Sequence, residues 1–514
     1  MKIQNKSFLK NYLQTYFWNG VAIILNIASM FIVIPMISNN QVIFGIYSIC
    51  ISTAIFLQYA DIGFVGAGIK FAGESYAKGE YETEIKYYGF FSFILLIFIF
   101  FISSFYLLFS YNPSLLINGI ESNKHIATAS KLLFIQAIFS FNTIFKRFLS
   151  GAFQVRIEGY IYQRILIFSS ILKLVSIFYF FNSGHYNIVG YYLFIKTIEL
   201  VVSIIGIRIL KYKYHISFLQ FVKSIKFDRN IFNKTKALAF NSIFLTIIWI
   251  LYYEIDLIVI GRIYGAIDVA IYALAFTFIK FLRSLSAIIF NPFQNRFNHL
   301  VGLNKIDDLK SILPKIIRFS MPLFLFTVVS IMVLHNHIVL AWAGADFSES
   351  GLILIFLSSS FMLLFVITPC ANVFTALERI KELYLISILM IAFYWGGIFI
   401  TQGFWGVNSF AIFKLVARIV GAIFYIKFLL VFLNQNQIEL FKHTILKMFL
   451  PIVSQVLFLF MIMQYLPVIK GKINLILVIG TGGISVVLGF VVLYLTSIHY
   501  KTEFVHYFRK ALTS

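Results

Sequence analysis

The chemistry available to this sequence lies in ionisable side chains set inside long apolar runs. Lys173, Lys196, Lys280, Arg283, Lys414 and Arg418 all fall near the middle of such runs. Two of these runs carry like-charge pairs on one helix face: Lys280 with Arg283 at i,i+3, and Lys414 with Arg418 at i,i+4. Such pairs repel in water and repel more in a low dielectric. Against these six cations stands one central carboxylate, Glu199, one helical turn from Lys196. That surplus points to a hydrated cavity for an anionic ligand, because a charge at a helix centre costs about 2.5–3.5 kcal/mol on insertion scales and usually faces a cavity or a partner.

Three further carboxylates, Glu254, Asp256 and Asp61, stand towards the ends of apolar runs. Glu254 and Asp256 are two residues apart and point about 200° apart around a helix, which excludes a paired acid–base dyad. Two readings stay open for them. They are interfacial residues, or they serve as a proton or cation site or as counter-charges to Lys280 or Arg283. His335 and His337 face opposite sides of a helix and do not suit one metal. Cys50 and Cys370 both lie within apolar runs and suggest neither a disulfide framework nor a metal site. No nucleophile–base set and no phosphate loop is present, so neither an enzyme nor a cofactor is expected.

The elements that must position these charges are membrane helices. Of 514 residues, 60% are hydrophobic and 12% charged, too apolar for a water-soluble globule. Apolar runs of about 20 residues match a bilayer core of roughly 30 Å. Fourteen spans are expected: 16–38, 42–64, 89–110, 128–150, 161–182, 187–207, 237–260, 267–291, 318–341, 351–377, 383–402, 406–430, 446–465 and 473–497. The fold class is therefore an all-α polytopic membrane protein. Lys2, Lys6 and Lys10 precede a run of full span length, which is expected to stay as a first helix. The net charge of +22 implies no nucleic acid. Lys and Arg gather on one side of the expected topology, as in Lys211, Lys213, Lys223, Lys226, Arg229, Lys234 and Lys236. This is the positive-inside bias and places both termini in the cytoplasm, with the basic segments against anionic membrane lipids.

The chain also repeats itself. Residues 32–37 (IVIPMI) and 258–263 (IVIGRI) are 226 positions apart, as are Lys70-Phe71 and Arg296-Phe297. Gly45-Ile46-Tyr47 and Ala270-Ile271-Tyr272 are 225 apart. The period covers six spans, an even number, so both copies enter the membrane in the same sense, an arrangement known among transporters. The expected organisation is an N-lobe over 1–209, a basic linker over 210–236, a C-lobe over 237–436 and two added helices with a tail over 437–514. Segments 65–88 and 292–317 are expected to lie partly helical along the membrane surface.

The same residues carry a family likeness. Asn19 through IVIPMI, the helix start at Phe44-Gly45-Ile46-Tyr47, and ADIGFVGAGIKFAGESYAKGEYE (60–82) resemble the opening of bacterial polysaccharide-export flippases. DLIVIGRIYGAIDVAIYALAF (256–276), Asn291-Pro292-Phe293 with Arg296-Phe297, and Ala376-Leu377-Glu378-Arg379 resemble later stretches of the same family. The resemblance is to Wzx-type O-antigen and polysaccharide repeat-unit flippases of the multidrug/oligosaccharidyl-lipid/polysaccharide exporter superfamily. Ser38-Asn39-Asn40 departs from it, where the family often has a Leu-Gly turn. It implies movement of undecaprenyl-diphosphate-linked oligosaccharide across the inner membrane by alternating access, for lipopolysaccharide or capsule, beside a polymerase and chain-length machinery. The alternatives are a lipid II flippase or a drug or ion antiporter of the same fold, or a membrane polymerase or ligase. Short outer loops argue against the last.

Overall fold

A computed structural model of the chain describes residues 2–60, 63–182, 185–433, 439, 445–497 and 500. The described residues are helical throughout, with no strand among them. Nine helices there are long and apolar enough to cross a membrane, and two bent helix pairs raise the number to eleven. Three more helical segments stand where spans are expected, at 188–214, 229–263 and 266–302. They include the stretches that carry Lys196 with Glu199, Glu254 with Asp256, and Lys280 with Arg283. The chain is a multi-pass membrane protein of all-α class.

It divides into two compact units, Met1–Ala270 and Ile271–Ser514. The first unit begins with α1 (Lys2–Ile37), α2 (Gln41–Thr53), α3 (Ile55–Gln58), α4 (Phe64–Ala77) and α5 (Tyr81–Tyr111). It continues through α6 (Asn123–Phe139), α7 (Asn142–Val155), α8 (Gly159–Phe180), α9 (Ile188–Tyr214), α10 (Phe218–Ser224), α11 (Arg229–Trp249) and α12 (Asp256–Ile263). In this unit α1 packs on α8, α5 on α4 and α6, and α9 on α6, α7 and α8. The second holds most of α13 (Ala266–Gly302), then α14 (Ile306–Trp342), α15 (Ser350–Phe361), α16 (Leu364–Ala376), α17 (Ile380–Trp405) and α18 (Asn408–Phe432). The last two helices, Phe449–Met463 and Lys472–Thr496, dock on α14. There the Gln455 amide donates to the Phe326 carbonyl (2.8 Å) and to Ser330 Oγ (2.7 Å), which also meets Ser485 Oγ at 2.7 Å. In hydrocarbon such interhelical hydrogen bonds fix which faces meet.

The internal repeat recurs in the helix boundaries. The starts of α2 and α13, the ends of α4 and α13, and the starts of α5 and α14 are each 225 residues apart. The fourth span of each half is bent, by 47° between α6 and α7 and by 44° between α15 and α16. The halves differ at several points, one of them between α3 and α4. α3 and α4 are separated by a turn in which Gly63 holds φ 75°, whereas α13 runs unbroken through the matching position, Ile288. A left-handed backbone is open to glycine and strongly disfavoured for a β-branched residue. Residues 292–317, expected to be partly helical, extend α13 to Gly302 and begin α14 at Ile306.

The basic segment 210–236 lies within the first unit and packs there through Gly89 of α5, where an added Cβ would stand 2.0 Å from the Ser224 carbonyl oxygen of α10. Gly89→Val is expected to push α10 off α5, at the roughly 1–3 kcal/mol typical of overpacking. Faster tryptic cleavage between Lys211 and Lys236 in purified protein checks this. An unchanged digestion pattern would show that the close approach is not needed.

Candidate functional site

The bend in the fourth span creates the site. Breaking a helix frees backbone carbonyls, and here the Ala137 carbonyl accepts from Ser140 Oγ (2.7 Å) and from Ser103 Oγ on α5 (2.8 Å). Beyond the bend, α7 is amphipathic. Ile144, Phe148, Leu149 and Ala152 are buried, while Lys146, Arg147 and Ser150 line a cavity of about 530 Å³.

That cavity lies wholly within the first unit and is walled by α2, α3, α6, α7, α8 and α9. Its volume falls in the range of small-molecule sites. Glu199 of α9 stands among its cations and bridges two of them. Lys146 Nζ is 2.5 Å from Oε2 and Lys173 Nζ is 2.8 Å from Oε1. Lys196, one turn before Glu199, sets its ammonium 5.1 Å from the centroid of the Tyr192 ring. Arg147 donates through Nη2 to the Gln58 carbonyl at the end of α3. Four cations (Lys146, Arg147, Lys173, Lys196) against Glu199 leave three positive charges in surplus on the lining.

Tyr47, Tyr162 and Tyr192 add aromatic surface to the cavity. Tyr47 and Tyr192 meet edge to face with centroids 6.0 Å apart, and the Tyr192 hydroxyl donates to Gln136 Oε1. Such a site can neutralise a polyanion while offering ring faces and hydroxyls to a polar, partly apolar ligand such as a sugar.

The structure thus brings Lys173 and Lys196 together in one unit and adds Lys146 and Arg147, which the sequence reading missed by treating span 4 as a uniform apolar helix. Their signal was the polar pair KR opening the amphipathic run KRFLSGAF.

The other four cations lie in the second unit. Lys414 and Arg418 of α18 are only 2% and 3% exposed. Lys280 of α13 and Lys414 converge on one ring, with ammonium groups 4.9 Å and 5.2 Å from the Phe276 centroid. Lys414 is also 5.1 Å from the Tyr394 ring, and the Arg418 guanidinium is 5.9 Å from Phe361. Cation–π contacts of this kind stabilise a desolvated cation by up to about 2 kcal/mol, a compensation the charge count did not include. Arg283, one turn beyond Lys280, is half-buried.

Glu254 ends a π-helical turn, Ile250–Glu254, and Asp256 opens α12. Asp256 is fully buried and Glu254 is 8% exposed. Neighbouring side chains and backbone therefore enclose both carboxylates. A π turn inserts one extra residue into a helix and often marks a functional position. Asp61 lies outside the described residues.

No protein-family model and no curated protein sequence matches the chain. Solved structures do match. The chain is similar to the lipid II flippase MurJ in an inward closed conformation, at 14% identity over 95% of this chain and 99% of that one, with a TM-score of 0.65. It is also similar to an inward-facing multidrug resistance MATE family transporter of the MOP superfamily, at 12% identity over 79% of this chain and 94% of that one (TM-score 0.59). A third match is the Vibrio cholerae MATE transporter VcmN in its bent form, at 16% identity over 84% of this chain and 100% of that one (TM-score 0.53). The chain has the fold of MOP-superfamily transporters.

Proposed function

We propose that this protein flips an undecaprenyl-diphosphate-linked oligosaccharide, an O-antigen or capsule repeat unit, across the bacterial inner membrane by alternating access. The carrying observation is the tyrosine-walled cavity of the first unit with its surplus of three positive charges. A lipid diphosphate is doubly anionic and its glycan is polar, so neither crosses hydrocarbon unaided. Cations compensate the diphosphate while the polyprenyl tail stays in the bilayer. Lys173 and Lys196 with Lys146 and Arg147 act from the first unit, and Lys280, Arg283, Lys414 and Arg418 from the second. Asp256, Glu254 and Asp61 serve as counter-charges or ion-coupling groups. No covalent chemistry and no cofactor is required. Both termini lie in the cytoplasm, and the glycan is handed to a polymerase and its chain-length machinery.

Two tests bear on this reading. Single Ala substitutions at Lys280, Arg283 and Arg418 are expected to lower surface polysaccharide several-fold at unchanged protein abundance. Normal export in all three would remove the second unit's cations from the function. In proteoliposomes, the protein is expected to flip a fluorescent undecaprenyl-diphosphate oligosaccharide. The likeness to MurJ favours a second reading, transport of lipid II, and preferential flipping of lipid II in the same vesicles would establish it instead.

A further inference from the structure

We propose that Glu199 is a built-in counter-anion, a tethered carboxylate that occupies the cationic cavity when it is empty and is displaced from Lys146 and Lys173 by the anionic group of the ligand. The inference rests on the reading that this cavity takes a diphosphate, and adds how the site is kept ready and how it lets go.

The geometry is that of a plug. Lysines from two helices, α7 and α8, reach one carboxylate on a third, α9, and each takes a separate oxygen at 2.5 Å and 2.8 Å. Among the described residues, Glu199 is the one acidic residue on the cavity lining. The three side chains keep 20–35% of their surface exposed, so the bridge is open to an incoming ligand.

Without an anion, the cavity's cations repel one another in a medium of low dielectric. Glu199 lowers that repulsion and holds Lys146 and Lys173 pointing inward. A diphosphate offers more acceptor oxygens and more charge than a carboxylate, so it replaces Glu199 on both ammonium groups. The released carboxylate then stands beside the bound anion and repels it. Glu199 thereby weakens binding and speeds release, which keeps the ligand from being trapped by three surplus charges.

Glu199→Gln keeps the shape and removes the competing charge. Titration of inorganic pyrophosphate into the purified full-length protein, at fixed ionic strength and read by calorimetry, is expected to give about tenfold tighter binding than wild type. Flipping by this variant in proteoliposomes is expected to slow, because release is held back. If Glu199→Gln does not accumulate, Glu199→Asp takes its place. Its shorter side chain cannot span both lysines, and a smaller gain in affinity is expected.

Wild type that binds pyrophosphate, with variants that bind no more tightly, overturns the counter-anion role and leaves the diphosphate site standing. Binding by wild type that the double substitution Lys146→Ala/Lys173→Ala leaves unchanged, or no binding by wild type and variants alike, overturns the reading of the cavity and the proposal with it.

Discussion

Under the proposed function, surface polysaccharide is expected to be lost when Lys146 and Lys173 are both replaced by alanine. Among the described cations of the cavity, these two ammonium groups are the ones held within hydrogen-bond distance of an anion, the Glu199 carboxylate. A hydrogen bond to a charged group is worth about 1.5–3 kcal/mol, so losing two weakens a diphosphate complex by roughly a hundredfold or more. The remaining lining is poorly placed to compensate. Arg147 is engaged with the Gln58 carbonyl, Lys196 leans on Tyr192, and Glu199 still contributes its negative charge. Each single substitution is expected to act more weakly, since one lysine keeps Glu199 occupied and the other cations still attract the ligand. Lys173→Arg is expected to retain most activity because it keeps the charge. The measurement is surface polysaccharide by immunoblot, alongside the membrane abundance of a tagged protein. Wild-type export from the double variant at wild-type abundance would remove this cavity from the transport path.

The parts of this molecule that could be read from sequence are those set by helix length and period. IVIPMI and IVIGRI recur 226 positions apart, and the helix boundaries around them follow at 225. That Lys173 and Lys196 fall inside long helices was legible for the same reason, as was the turn that joins Lys196 to Glu199.

What depends on tertiary contacts was hidden. The bend between α6 and α7 falls at Ser140-Phe141, where no proline or glycine marks it, and a serine of α5 supports it from 37 residues away in sequence. Without that bend, Lys146 and Arg147 read as the end of an apolar helix. The ring that Lys280 and Lys414 share is one phenylalanine among 61, and composition cannot say which ring is used. Asp256 followed a similar course. Its distance from the span end gave no sign of the π turn before it or of its complete burial in the folded chain.

Removing either member of the Glu84–Arg156 pair is expected to unfold the first unit more readily, and removing both is expected to restore it. Glu84, in the first turn of α5, and Arg156, just past α7, have side chains 0% and 4% exposed. Arg156 donates from Nη1 to Oε1 (2.6 Å) and from Nη2 to Oε2 (3.1 Å), and the Tyr88 hydroxyl donates to Oε1 at 2.8 Å. The Tyr76 and Tyr214 rings lie 4.7 Å and 5.0 Å from the guanidinium. Tyr214 ends α9, so this cluster ties together the ends of α5, α7 and α9, and with them the helices that carry Lys146 and Glu199. Leaving one buried charge without its partner costs about 3–5 kcal/mol, whereas replacing both by packed apolar residues is often neutral.

The internal repeat offers that apolar solution. The positions matching Glu84 and Arg156 in the second half, by their place at the start of α14 and just past α16, are Leu309 and Leu377, and Leu309 is fully buried. In detergent, Glu84→Leu and Arg156→Leu singly are expected to melt roughly 10 °C below wild type, and the double variant close to it. Transport should follow the same order, because the pair positions the cavity's helices and does not touch the ligand. Singles that melt with wild type, or a double variant no better than the singles, would contradict a buried pair in this role.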